Sequence, residues 1–359
     1  MSAAGTLAEL TTLRLGGPAR EVVDAGTPDE VVEAVREADA AGTPVLVVGG
    51  GSNLVVGDAG FEGRVVHVHG GGPLIEDASA CAGASMTAFA GVVWDDVVAA
   101  AVEGGWVGVE ALSGIPGSTG ATPVQNVGAY GQEVGDTLSV VRLWDRLEGR
   151  RRMLAVGDLQ LGYRTSRIKR ERLPEGAPGA GVPGADQRWI VLQVDLQLRP
   201  GTVSAPVRYA ELARALGVEV GDRVPLAQLR EAVLGLRRGK GMVLDAADPD
   251  TWSAGSFFTN PVLTASAAAA LPPDAPRYDV GEGLIKTSSA WLVQHAGFER
   301  GHGLPGPVSV STRHTLALTH RGGGTTAALL DLAREVRDGV QAAFGVRLAP
   351  EPVLVGCAL

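Results

Sequence analysis

The chain has 359 residues, 45% of them hydrophobic and 20% charged, with a formal net charge of −9. That length and apolar content support a large core in two or three domains and exclude a disordered protein. The acidic balance excludes non-specific nucleic-acid binding, which needs a basic footprint, though a local basic cluster can still hold a small anion.

The N-terminal stretch MSAAGTLAELTTLRLGG lacks a secretory apolar core, and no run of 18 apolar residues occurs. The two cysteines, Cys81 and Cys357, show no metal-ligand spacing. A soluble, cytoplasmic protein in a reducing compartment is therefore expected.

Residues 11–20, TTLRLGGPAR, read as an extended segment closed by a glycine turn. Thr27-Pro28-Asp29-Glu30 fits a capping box with proline at the first helical position. The helix it opens carries Val31, Val32, Ala34, Val35 and Ala38 on one face, and Gly42 closes it. The apolar run 44–48 is a buried strand. Gly49-Gly50-Gly51-Ser52-Asn53-Leu54 follows at once. It is neither a dinucleotide fingerprint nor a Walker loop, since neither G-x-G-x-x-G nor Gly-Lys-Ser/Thr is present.

Residues 64–69 and 86–90 read as strands, and 94–103 as a helix ended by Gly104-Gly105. His67 and His69 share one strand face, but with no third ligand evident no metal site is assigned. The stretch 113–136, SGIPGSTGATPVQNVGAYGQEVGD, is too rich in glycine and proline for a helix. It lets backbone approach a ligand closely and interleaves groups able to read a ring edge: Ser118, Thr119, Gln125, Asn126 and Tyr130. A loop of this length in a compact domain is uncommon unless functional. Together with 49–54 it implies one ligand with two anionic or polar parts, a demand that flavin adenine dinucleotide (FAD) meets.

Strands follow at 138–144 and 189–198, the second alternating cleanly enough to have one wet face. Between them lie the basic motif Tyr163-Arg164-Thr165-Ser166-Arg167-Ile168-Lys169 and the Pro/Gly/Ala-rich stretch 171–186, expected to be a mobile surface insertion. Helices are expected at 209–216 and 225–236, the latter leading into Arg237-Arg238-Gly239-Lys240. Ala254-Gly255-Ser256-Phe257-Phe258-Thr259-Asn260-Pro261 comes next. A short helix at 290–297, strands at 308–311 and 315–319 and a long amphipathic helix at 325–344 complete the body. Glu351 is pinned between Pro350 and Pro352 ahead of a terminal strand.

Seven pieces, at 13–19, 49–54, 114–132, 163–169, 255–261, 291–297 and 351–356, occur in an order that resembles the UDP-N-acetylenolpyruvoylglucosamine reductase family over nearly the whole chain. Most specific are Ile115-Pro116-Gly117, Pro123-Val124-Gln125-Asn126-Val127-Gly128-Ala129-Tyr130-Gly131 and Gly255-Ser256-Phe257-Phe258. The resemblance implies an α+β fold: a two-part FAD-binding domain of the PCMH/vanillyl-alcohol-oxidase type plus a smaller α+β substrate domain. The expected boundaries are 1–70, 71–200, 201–345 and a terminal strand segment 346–359.

The implied reaction belongs to peptidoglycan precursor synthesis. NADPH reduces a non-covalently held FAD and leaves, and UDP-N-acetylglucosamine enolpyruvate then accepts hydride in the same cleft. The FAD-binding residues implied are Gly49, Gly50, Gly51, Ser52, Asn53, Leu54, Ile115, Pro116, Gly117, Ser118, Gly120, Ala121, Gln125, Asn126, Gly128, Ala129 and Tyr130. By motif position Ser256 looks like the proton donor, and Arg164 and Glu351 look like the groups that hold and polarise the substrate carboxylate. Tyr163, Tyr209, Lys240 and Asn260 match substrate positions, Lys240 as a diphosphate contact. Thr165 stands where the family usually has aspartate, and 171–186 is not shared. The substrate is the expected partner, with no nucleic acid or membrane, and the chain is expected to be a monomer. Two other readings stay open: a sugar or hydroxy-acid oxidase sharing the FAD domain, and a non-catalytic flavin-binding protein. Against the first, oxidases often attach FAD through His or Cys near the first loop, and neither occurs in 49–60.

Overall fold

The structure, a computed structural model, describes residues 5–79 and 83–359; Cys81 lies outside the described residues. The fold is α+β, and the chain forms two compact units. The first contains Ala19–Gly51 and Phe61–Val243, the second Thr6–Pro18, Ser52–Gly60 and Leu244–Leu359.

In the first unit, strands Ala19–Ala25, Phe61–Val68 and Val45–Val48 form a parallel sheet in that order. The helix Pro28–Ala40 makes the crossover from Ala19–Ala25 to Val45–Val48, the two strands that flank Phe61–Val68. The Thr27 hydroxyl accepts the Glu30 N–H at 3.3 Å, while the Glu30 carboxylate accepts the N–H of Gly26 at 2.8 Å. Such a cap stabilises a helix by about 1 kcal/mol. Val31, Ala34, Val35 and Ala38 are buried, as the periodicity requires.

An antiparallel sheet follows, in the order Arg150–Ala155, Leu138–Asp145, Trp189–Pro200, Gly83–Phe89, Pro73–Ser79. The expected wet face of Trp189–Pro200 is interrupted, because Asp195 is only 7% exposed. The strand is central, so Asp195 lies opposite Thr87, whose hydroxyl donates to it at 3.1 Å, and Arg142 pairs with it at 3.0 Å.

The stretch 171–186 differs from the expected mobile insertion. It is a run of turns folded around Arg146, whose side chain is 1% exposed. That guanidinium donates to the carbonyls of Ala185 (2.8 Å), Gln187 (3.0 Å) and Pro178 (3.3 Å) and pairs with Asp39 at 2.6 Å. Glu171 accepts from Arg167 and from the Trp189 indole. A buried cation that must satisfy its donors orders a segment whose composition alone reads as loose.

Helices Ala210–Leu216 and Leu226–Gly239 share a separate small core of Ala111, Val207, Leu212, Val224, Leu229 and Val233.

In the second unit, strands Ser253–Ser256, Ala317–His320 and Val308–Val310 form an antiparallel sheet in that order. The helix Thr326–Phe344 buries Leu329, Leu332, Ala333, Val336 and Val340 in the same core as Phe257 and Phe258. Its first amides, at Thr326 and Ala327, donate to the Asp58 carboxylate at 2.7 and 2.9 Å, where a helix favours negative charge. The terminal strand Val353–Val355 runs parallel to Leu54–Val56. No helix among the described residues is long and apolar enough to cross a membrane.

Candidate active site

The first unit brings the two glycine loops into backbone contact. A Cβ on Gly50 would stand 2.7 Å from the Cα of Gly117, and one on Gly49 would stand 2.0 Å from Ser118 Oγ. Only glycine lets the loops lie this close. The chain passes into the second unit between Gly51 and Ser52, so Ser52, Asn53 and Leu54 belong there.

The 113–136 loop is anchored from several sides. Trp94 N–H donates to the Gly117 carbonyl (3.0 Å), and the amides of Thr119 and Gly120 donate to Val92 and Ala90 (2.8 and 2.9 Å). Asp95 accepts the Gly114 N–H at 2.6 Å and pairs with Arg230 at 2.7 Å. Burial raises the Asp95 carboxyl, but these partners outweigh it and hold it below the usual range. Glu110, fully buried, accepts the amides of Gly108 and Ala205, both at 2.7 Å. Ile115 packs against the main core, Ala121 ends the short 3-10 turn Thr119–Ala121, and Pro116 and Gln125 are half-buried within the loop.

Farther along, Gly128–Ala129 pairs with Gln132–Glu133 in a tight hairpin whose two turn residues, Tyr130 and Gly131, have φ of +49° and +86°. A type I′ turn needs positive φ at both positions, and a tyrosine there is strained. Asn126, φ +48°, donates to Glu133 at 2.6 Å and accepts the Gly135 N–H at 3.1 Å. Arg164, φ +54°, sits with Tyr163 in the turn closed by reciprocal hydrogen bonds between Gly162 and Thr165. Left-handed backbone at three expected site residues is the kind of strain that clusters at functional sites.

That turn meets the hairpin: Arg164 Nη2 donates to the Gly128 carbonyl at 3.1 Å, and Asn126 donates to Gly162 O at 3.4 Å. The Arg164 guanidinium carbon stands 5.6 Å from the centroid of the Tyr163 ring. Thr165 accepts a hydrogen bond from Arg170 at 3.3 Å.

Tyr209 and Lys240 arrive from the two helices of the small core. Tyr209 caps the first helix and its ring meets Tyr130 edge-on at 5.8 Å. Lys240 follows the second, 5.7 Å from the Tyr130 ring centroid and 2.6 Å from Glu211. Burial pushes the Tyr130 hydroxyl up, with Lys240 and Arg237 opposing. Burial also pulls the Arg237 guanidinium down to about 10. The sequence reading passed over Glu211 and Asp95; nothing in their spacing pointed to Lys240 or to Gly114.

The second unit gathers a separate set. Ser256 pairs with Ala317 and Ser253 with Thr319, so an extra residue bulges between them, and Gly255 supplies φ +71°. The segment after Ser256 pairs with the stretch before the terminal strand: the Glu351 N–H donates to Phe257 O at 2.9 Å, and the Thr259 N–H to Ala349 O at 3.1 Å. Asn53 Nδ2 donates to Glu351 O at 3.5 Å, and Val353 N–H to Asn53 O at 2.9 Å. Ser256, Glu351 and Asn53 therefore share one corner. Asn260 turns its amide oxygen to the N–H and hydroxyl of Ser289, both at 2.9 Å, at the start of the helix Ser289–His295.

The glycine-matched loops, with Arg164, Lys240 and Arg237 around the hairpin, fit an anionic dinucleotide and an anionic substrate. The pattern described as FAD binding domain matches residues 19–152, and that of the C-terminal domain of UDP-N-acetylenolpyruvoylglucosamine reductase matches 248–355. Proteins of that name from Saccharopolyspora erythraea, Streptomyces coelicolor and Cutibacterium acnes are 55%, 53% and 50% identical over 98% of this chain, covering 95%, 90% and 90% of their own lengths. A solved structure of that reductase from Thermus caldophilus shares the fold, with a TM-score of 0.63 over 98% of this chain and 97% of that one at 23% identity. With half or more of its residues matched along nearly its whole length, the chain belongs to the UDP-N-acetylenolpyruvoylglucosamine reductase family.

Proposed function

We propose that the protein uses NADPH to reduce UDP-N-acetylglucosamine enolpyruvate to UDP-N-acetylmuramate, a step of peptidoglycan precursor synthesis. The observation that carries this reading is the 50–55% identity over 98% of the chain to reductases of that name. By their motif positions, Gly49–Gly51, Ser52–Leu54 and the loop 115–130 would hold FAD. When bound, FAD supplies the hydride delivered to the terminal vinyl carbon.

The residues of this chain do the rest. Hydride addition to an acrylate-like double bond pushes charge onto the substrate carboxylate. Arg164 binds that carboxylate through its planar fork. Glu351, in its protonated form, donates to the developing enolate. Fixed donors of this kind are each worth about 3–4 kcal/mol of barrier. Ser256 gives its hydroxyl proton to the adjacent carbanionic carbon. Lys240 holds the diphosphate, with Tyr163, Tyr209 and Asn260 around the sugar nucleotide. The same proposal takes the chain as a cytoplasmic monomer divided at residues 70, 200 and 345.

The test is to mix purified protein, NADPH and the enolpyruvyl substrate under argon. Loss of 340 nm absorbance with formation of a product two hydrogens heavier is expected. NADPH left unconsumed, or oxygen-dependent turnover of a free sugar or hydroxy acid, overturns the assignment.

A further inference from the structure

The pair His67 and His69, left without a partner by the sequence, gains one from the fold. Strand Phe61–Val68 lies parallel to Ala19–Ala25, with His67 in register with Asp24. Side chains in register on neighbouring strands stand together, and His69, two residues on, returns to the same face. The His69 N–H donates to Ala25 O at 3.2 Å, which extends the pairing past the strand end and fixes that histidine's backbone.

Asp24 Oδ1 lies 2.8 Å from His67 Nδ1 and 3.3 Å from His69 Nε2, and the imidazoles stack with centroids 4.7 Å apart. One ligand atom from each residue falls within 4.8 Å of the others. Nitrogen and oxygen ligands about 2.0–2.2 Å from a tetrahedral zinc stand roughly 3.3 Å apart, so side-chain shifts of up to about 1.5 Å bring the three atoms to a coordinating arrangement. Two imidazoles and a carboxylate suit borderline ions such as zinc or nickel, not magnesium or calcium, which take all-oxygen sets. Asp24 is 62% and His69 51% exposed at the side chain, leaving room for an ion to enter and for water in the open position.

We propose that Asp24, His67 and His69 form a surface site for a divalent transition metal of the zinc type. The ion clips the edge strand Ala19–Ala25 to the central strand of the parallel sheet. None of the three residues has a part in the proposed reduction.

The test uses the flavin-loaded protein, stripped with a chelator and titrated calorimetrically with zinc chloride alone. Wild type is expected to take up one equivalent that His69→Gln and Asp24→Asn bind at least about tenfold more weakly. Zinc should also raise the melting temperature of wild type and not of the variants. An unchanged flavin-to-protein absorbance ratio shows that the variants are folded. Failure of wild type to bind zinc, or equal uptake by wild type and His67→Asn/His69→Gln, overturns the proposal.

Discussion

Glu351 donates its backbone N–H to the carbonyl of Phe257, 2.9 Å away, one residue beyond Ser256. Two residues separated by 95 positions of chain, the expected proton donor and the expected carboxylate-polarising acid, are thereby tied to a common strand-like pairing. If Glu351 works as a hydrogen-bond donor, Glu351→Gln, which still donates, should keep more activity than Glu351→Ala. The latter is expected to lose about 10²–10³-fold in kcat. Equal losses in steady-state assays of the two variants would mean that donation is not its role.

The contact between Gly50 and Gly117 leaves no room for a methyl group. Gly50→Ala forces the two loops apart and should lower the flavin content of purified protein, read from the 450 to 280 nm absorbance ratio. Gly157→Ala, where a Cβ meets nothing within 4 Å, serves as the control and should match wild type. Full flavin retention in Gly50→Ala would show that loop contact does not shape the cofactor site.

Asp250 ties the second unit's sheet together. It accepts from Ser311 Oγ (3.0 Å) and from the amide and hydroxyl of Thr312 (2.8 and 2.5 Å), and it pairs with Arg321 at 3.2 Å. Burial pushes its carboxyl up, but those donors outweigh burial and hold it below the usual range. A depressed carboxyl contributes stability above its unfolded value of about 3.9, and that stability is lost as pH falls through the lower folded value. Asp250→Asn should therefore cost about 1–3 kcal/mol at pH 7. Urea melts should show the gap from wild type closing below about pH 4. A gap constant across that range would contradict this.

Arg146 organises the 171–186 turns from inside. Arg146→Ala leaves Asp39 and at least three carbonyls without their donor and should cost about 3 kcal/mol, as for other buried pairs broken on one side. Limited proteolysis should then cut within 174–184 faster than in wild type. Unchanged cleavage would place the ordering of this segment elsewhere.

The fold was most legible where the signal is local. Thr27 and Glu30 announced the first helix, the apolar run 45–48 its buried strand, and the leucine and valine spacing of 326–344 the long helix. Among the candidate site residues, glycine marked both loops and proline the second, whereas the bulge at Gly255 became visible only in the pairing of Ser253 and Ser256 with the neighbouring strand. What stayed hidden depends on pairing over long separations. Asp195 reads as a solvent-facing residue until Thr87 and Arg142 close over it. The stretch 171–186 reads as loose until Arg146 is folded into it, and His67 and His69 lack a third ligand until Asp24 arrives in register from another strand. No spacing rule links Lys240 to Glu211 or Asn260 to Ser289, because each pair is made by two separate elements coming together.

The central claim is that Ser256 delivers the proton to the substrate carbanion and takes no part in accepting hydride from NADPH. Stopped-flow spectroscopy of Ser256→Ala, following flavin absorbance in each half-reaction, tests it directly. Reduction by NADPH should proceed at nearly the wild-type rate. Reoxidation by UDP-N-acetylglucosamine enolpyruvate should slow by at least about 10²–10⁴-fold, with Ser256→Cys recovering part of the loss. Equal slowing of both half-reactions would contradict the account and make Ser256 a structural or flavin-binding residue.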